Sequence, residues 1–189
     1  MLGQMMEPLE AKSEKRKAKN LEKSWALTGC KGREPNIIKS FYMKEGDLEK
    51  FNLKLQEKYK KIESKEARWE EYKLDDVDII LVAYGTMARI AKDAVNQLRE
   101  NKIKAGLIRP ITLWPFPKNI FSLLSARYSL LKFLVIEMSY GQMVEDVRLS
   151  IDGKARVEFL GRSGGGIPTQ EQIIDKVKTV IATPEVAVG

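Results

Sequence analysis

Glu137 closes the apolar run Phe133-Leu134-Val135-Ile136, so its carboxylate stands at the carboxyl end of a buried strand. That is the edge at which doubly wound sheets bind ligands. Arg109 ends a second run of the same kind, and Gln142 follows Glu137 by one short loop. A Glu137–Arg109 pair there would either hold a substrate carboxylate or a partner's backbone, or join two strands as a structural ion pair. Gly164-Gly165-Gly166-Ile167-Pro168-Thr169 leads into a helix whose first N–H groups and dipole suit an anion or the edge of a cofactor. The same string reads as a tight loop between strand and helix, and it lacks the Lys-Ser/Thr pair of a phosphate loop.

Other chemistry is excluded by counting. The 189 residues include no His and one Cys. No Ser-His-Asp triad, Cys-His pair or His-ligated metal can be built from this chain. Cys30 alone supplies neither an internal disulfide nor the ligands of an ordinary iron–sulfur cluster. It reads as a reactive thiol or as an incidental residue. Cysteine poverty fits a reducing cytoplasm, where we expect the protein. Ala83-Tyr84-Gly85-Thr86-Met87-Ala88-Arg89 sits where a dinucleotide fingerprint would sit, but with one glycine where three are needed. Arg109 also occupies the place of the expected acidic residue, so Thr86 is read as a helix N-cap. Asp75, Asp76 and Asp78 read as a hydrated strand entrance.

The net charge is +7. Up to Leu74 there are eighteen basic and thirteen acidic side chains, so the excess lies in the first part. Its densest run is Lys12, Lys15, Arg16, Lys17, Lys19 and Lys23. Such a run attracts nucleic acid or forms a solvated, partner-facing arm. No aromatic interleaves it before Trp25, which speaks against a stacking platform for single strands. No apolar run approaches the roughly 20 residues of a membrane helix, and the first residues do not read as a secretory leader.

The elements that must position these residues fall into two grammars, with a boundary at Leu74-Asp75. Residues 1–74 read as an arm. Within it, Ile37–Tyr42 suits a short strand. Asp47 suits the N-cap of a helix carrying Leu48, Phe51, Leu55, Tyr59 and Ile62 on one stripe and continuing toward Trp69 and Tyr72. Residues 75–182 alternate strand and helix. Strands are expected at Val77–Tyr84, Ile103–Ile108, Phe133–Glu137 and Ala155–Leu160. Helices are expected through Ile90–Leu98, Ile120–Leu124, Gly141–Leu149 and, capped by Thr169, Ile173–Ile181. Residues 183–189 form a tail. The fold class is α/β, a mostly parallel sheet of four to five strands with helices on both faces. From the residues alone this is a domain of something larger, either an enzyme subunit or a non-catalytic interaction module, with a basic nucleic-acid binder ranked below.

Several strings together resemble one family. They are Gly3–Pro8 (GQMMEP), Trp25–Gly29 (WALTG), Asn52–Tyr59 (NLKLQEKY), Ala83–Arg89 (AYGTMAR), Gly106–Pro117 (GLIRPITLWPFP), Glu137–Met143 (EMSYGQM), and Gly161-Arg162 with Gly164–Gly166. They are similar to the alpha subunit of 2-oxoacid:ferredoxin oxidoreductases, nearest the branched-chain type that acts on 2-oxoisovalerate. The resemblance implies an arm followed by a domain like the C-terminal domain of transketolase. It implies oxidative decarboxylation of a 2-oxoacid to an acyl-CoA, with electrons passed to ferredoxin. It places thiamine diphosphate and Mg2+ in a beta subunit and iron–sulfur clusters in a ferredoxin-like or gamma subunit. Coenzyme A and ferredoxin then meet the assembled enzyme. For this chain it implies no catalytic residue, no metal ligand and no turnover in isolation. The interface or anion contacts expected of it are Gly164, Gly165, Gly166, Thr169, Arg109, Glu137 and Gln142. Ser139 stands where the family usually carries Asn, two residues after the strand-closing glutamate.

Overall fold

A computed structural model describes residues 31–35, 37–128 and 130–183. The basic run at Lys12–Lys23, Cys30, the strings Gly3–Pro8 and Trp25–Gly29, and residues 184–189 lie outside them. The chain divides into two compact units, Met1–Lys58 and Tyr59–Gly189.

In the first unit Ile37–Tyr42 forms no strand, contrary to expectation. A short apolar run becomes a strand only against a sheet edge, and here Ile37, Ile38 and Phe41 are exposed. Helix α1, Asp47–Glu66, begins in this unit and ends in the second. Asp47 is its first residue rather than its cap, with its N–H donating to the Lys44 carbonyl. The Tyr42 ring packs on Phe51 at 5.4 Å, and the Lys39 ammonium lies 4.8 Å from the Tyr42 ring. No residue of α1 is buried.

In the second unit α1 ends before Trp69, and Trp69–Tyr72 is strand β1, not more helix. The reason is tertiary. The strand runs antiparallel to β3 (Ala105–Pro110), with Glu70 opposite Arg109 and Tyr72 opposite Leu107. The Tyr72 hydroxyl donates to Asn96 at 2.7 Å. Two glutamates between two aromatics read as a helix face only while that sheet edge is invisible.

The remaining strands are β2 (Ile79–Val82), β4 (Lys132–Glu137) and β5 (Arg156–Gly161). All are parallel to β3, in the spatial order β1-β3-β2-β4-β5. Every β2 side chain is buried, because both faces of the sheet are covered. Ile79, Leu81 and Ala83 meet one core with α2 (Gly85–Glu100) and α5 (Gln170–Ala182). Ile80 and Val82 meet a second core with α3 (Lys118–Arg127) and α4 (Met143–Ile151). The expected α/β architecture with helices on both faces is therefore present. Among the described residues no helix is long and apolar enough to cross a membrane.

The entrance to β2 is held by Arg99. Its guanidinium donates to the carbonyls of Ala105 and Lys73 and to Asp76 at 2.8 Å. Asp76 is thus an anchored corner of the strand entrance, with its carboxyl held below the usual carboxylate range by that hydrogen bond.

Candidate functional site

The loops that follow the four parallel strands gather at one edge of the sheet. They are Ala83-Tyr84, Ile111–Pro117, Met138–Gln142 and Arg162–Thr169. β2 and β4 are neighbours, and the helices that leave them, α2 and α4, cover opposite faces. This is a topological switch point, where α/β sheets open a crevice.

Glu137 organises the end of β4 at that edge. Its side chain is 1% exposed. Oε1 accepts the Val144 N–H at 2.9 Å, and Oε2 accepts the Met143 and Gln142 N–H groups at 3.1 Å each. The Ser139 hydroxyl donates to Oε2 at 2.9 Å and accepts the Gly141 N–H at 3.1 Å. The start of α4 has four backbone donors without intrahelical partners, and its N-cap residue, Gln142, makes no side-chain cap. The carboxylate of Glu137 fills that role from the preceding strand, and the helix dipole favours a negative group there. Burying a carboxylate is costly unless its oxygens are satisfied, and here four donors of its own chain satisfy them. Gln142 takes part through its backbone N–H.

The expected Glu137–Arg109 pair does not form. β2 lies between the strands that carry the two residues. Arg109 instead donates to Glu70 at 3.2 Å across the β1–β3 pairing. Strand order is a tertiary fact, and adjacency in the run of strands did not imply adjacency in the sheet.

The glycine loop is closed largely on itself. Gly164 and Gly165 take positive φ values of 64° and 81°, a region open to glycine at little cost. The Gly166 N–H donates to Ser163, and Arg162 donates to the Ile167 carbonyl. The Arg162 N–H donates to the Glu137 carbonyl, tying this loop to the end of β4. Thr169 caps α5 as expected. Its hydroxyl accepts the Gln172 N–H, and Gln172 Oε1 accepts the Thr169 N–H, a reciprocal capping box. Thr86, in contrast, lies inside α2. Tyr84 in extended conformation is the N-cap and makes no side-chain bond.

A groove of about 410 Å³ opens beside this edge and was not visible in the sequence. Trp69, Trp114, Pro115 and Phe116 line it, with Lys60, Glu63, Lys118 and Asp146. Thr112 shapes its wall by accepting the Arg68 N–H and donating to the Pro115 carbonyl, both at 2.9 Å. The aromatic density of Trp114-Pro115-Phe116-Pro117 was the available signal. Trp69 joins it only through β1. Exposed apolar side chains cluster at the same edge: Ile111, Leu113, Trp114, Met138, Tyr140 and Ile167. Tyr140 is 82% exposed although its loop is pinned at both ends. Among the described residues no group of three or more His, Cys, Asp or Glu is placed to hold a metal ion.

The chain matches the family described as pyruvate:ferredoxin oxidoreductase core domain II over residues 77–173. It is 40% identical over 180 residues to ketoisovalerate oxidoreductase subunit VorB of Methanothermobacter thermautotrophicus, covering 95% of this chain and 50% of that protein. It is 38% identical over 103 residues to 2-oxoglutarate synthase subunit KorA of Methanothermobacter marburgensis, covering 54% of this chain and 27% of that protein. Among solved structures it superposes on the 2-oxoglutarate:ferredoxin oxidoreductase from Magnetococcus marinus with 2-oxoglutarate, coenzyme A and succinyl-CoA bound. There the TM-score is 0.59 at 19% identity, over 74% of this chain and 24% of that one, a likeness of fold. The chain spans about half the length of the ketoisovalerate relatives it matches.

Proposed function

The chain belongs to the pyruvate:ferredoxin oxidoreductase family through its core domain II, and on that premise we propose that it is part of the alpha subunit of a 2-oxoacid:ferredoxin oxidoreductase. The assembled enzyme would oxidatively decarboxylate a 2-oxoacid to an acyl-CoA and pass the electrons to ferredoxin. The observation that carries this reading is the 40% identity to ketoisovalerate oxidoreductase subunits over nearly the whole chain. The match to 2-oxoglutarate synthase subunits spans only about half of it, which supports 2-oxoisovalerate as the substrate.

In this reading the chain's share is architecture. The strings that carry the family resemblance between Ala83 and Gly166 lie at or run into one edge of the sheet, where the loops present Tyr140, Trp114 and Ile167 outward. A rigid edge with exposed aromatics suits contact with other polypeptides. Thiamine diphosphate supplies carbanion chemistry where it is bound. Glu137 has its oxygens committed to Ser139, Gln142, Met143 and Val144 and does not offer them to a cofactor. We therefore assign thiamine diphosphate, Mg2+ and the iron–sulfur clusters to the beta and gamma polypeptides of a cytoplasmic assembly.

The test is 2-oxoacid-dependent, coenzyme A-dependent reduction of methyl viologen by the assembly purified without oxygen. The reading requires activity with 2-oxoisovalerate above that with pyruvate or 2-oxoglutarate, and none from this chain alone. Activity that persists when the chain is removed from the assembly contradicts it.

A further inference from the structure

We propose that α1 is a docking helix for a partner polypeptide that presents an apolar ridge bordered on one side by a row of carboxylates. Leu48, Phe51, Leu55, Tyr59 and Ile62 follow one another at three- and four-residue spacing and form a single stripe about 21 Å long. None of the 20 residues of α1 is buried, and Leu48, Phe51 and Tyr59 are exposed. Single helices gain most of their stability by burying such a face, so this stripe calls for a cover. Within the second unit Tyr59 meets Trp114 edge-on at 5.7 Å.

Charge specifies the cover. Lys54, Lys58, Lys61 and Lys65 recur at spacings of four, three and four, which places all of them along one flank of the stripe. None of them is paired with a carboxylate among the described residues. The other flank carries Glu49, Asn52, Gln56 and Glu63, with Lys60 as its one lysine. An anionic lipid surface would favour cations on both flanks of the apolar face. A one-sided lysine row matches a protein surface with acidic side chains on one border, and it fixes the direction in which that surface is laid. This inference rests on the subunit reading only in taking the partner to be another polypeptide of the same assembly.

The test compares the assembly formed by the wild-type chain with that formed by Lys54→Glu/Lys58→Glu/Lys61→Glu/Lys65→Glu. A control carries the same charge change elsewhere: Lys102→Glu/Lys104→Glu/Lys154→Glu/Lys178→Glu. Because α1 buries nothing, the first variant is expected to fold, which circular dichroism checks. Native mass spectrometry across a salt series should show at least tenfold weaker retention of the first variant and unchanged retention of the control. Carbodiimide coupling of the wild-type assembly should join these lysines to Asp or Glu of another chain. Equal retention of the two variants overturns the inference and leaves the subunit reading standing. A wild-type chain that assembles with nothing overturns both. Wild-type co-sedimentation with phosphatidylglycerol vesicles that is lost in the first variant, with assembly intact, overturns it in favour of a membrane.

Discussion

The backbone N–H of Val144 donates to Oε1 of Glu137 at 2.9 Å, so the last residue of β4 caps the helix that begins six residues later. The strand, the loop with exposed Tyr140 and the helix are thereby one mechanical piece. Replacing Glu137 by Ala strands the N–H groups of Gln142, Met143 and Val144. The expected loss is about 3 kcal/mol of stability, since each unsatisfied buried donor costs roughly 1–3 kcal/mol. Glu137→Gln keeps one acceptor oxygen and should cost less. Denaturant unfolding measures the difference, and amide exchange at Val144 should accelerate in both variants.

Ser139 is the second link of that piece. Ser139→Ala removes a donor to Glu137 and the acceptor of the Gly141 N–H, for an expected loss of about 1 kcal/mol. Ser139→Asn retains both hydrogen-bonding functions and should lose less. Equal stability of all three proteins would mean that the serine does not support the loop.

Two glycines are fixed by neighbours rather than by backbone angle. A Cβ on Gly106 would lie 2.7 Å from both the Lys73 carbonyl oxygen and the Leu74 side chain. One on Gly161 would run into the Ser139 carbonyl oxygen and the Phe159 ring. Gly106→Ala and Gly161→Ala should each cost roughly 1–3 kcal/mol through overpacking, read as a lowered Tm. Gly161→Ala should also disturb the Glu137 loop in amide exchange, because Ser139 belongs to it.

Acid should release a second tie. Burial by itself would raise the Glu158 carboxyl, but hydrogen bonds from Arg156 at 2.7 Å and attraction to Lys176 at 3.4 Å outweigh it and leave it below its ordinary 4.5. A carboxyl lowered on folding contributes stability that is complete above its unfolded value and lost as pH falls through the folded value. Stability should therefore decline below about pH 4.5, and less so in Glu158→Gln, as followed by denaturant midpoints across that range.

Much of this architecture was legible from apolar runs. Ile79–Val82 and Phe133–Ile136 read as buried strands and are so, and the spacing of Ala91, Ala94, Val95 and Leu98 gave α2 its inner face. Thr169 announced its helix because a capping box is local chemistry. What failed was non-local. Trp69–Tyr72 became a strand only because β3 offered an edge, and Glu137 and Arg109 were separated by the insertion of β2 between their strands. The groove joins Lys60, Trp69, Trp114 and Asp146, which no local pattern connects. Glu137 was recognised as a residue of consequence from its place at the end of a strand. Its backbone partners, the N–H groups of Gln142, Met143 and Val144, could not be read from residue types.

The most direct measurement is native mass spectrometry of the tagged chain purified from its own host without oxygen. The account predicts a complex of fixed stoichiometry in which this chain is joined by polypeptides that carry thiamine diphosphate and iron–sulfur clusters. Recovery of the chain alone, or with proteins that carry neither, would contradict it.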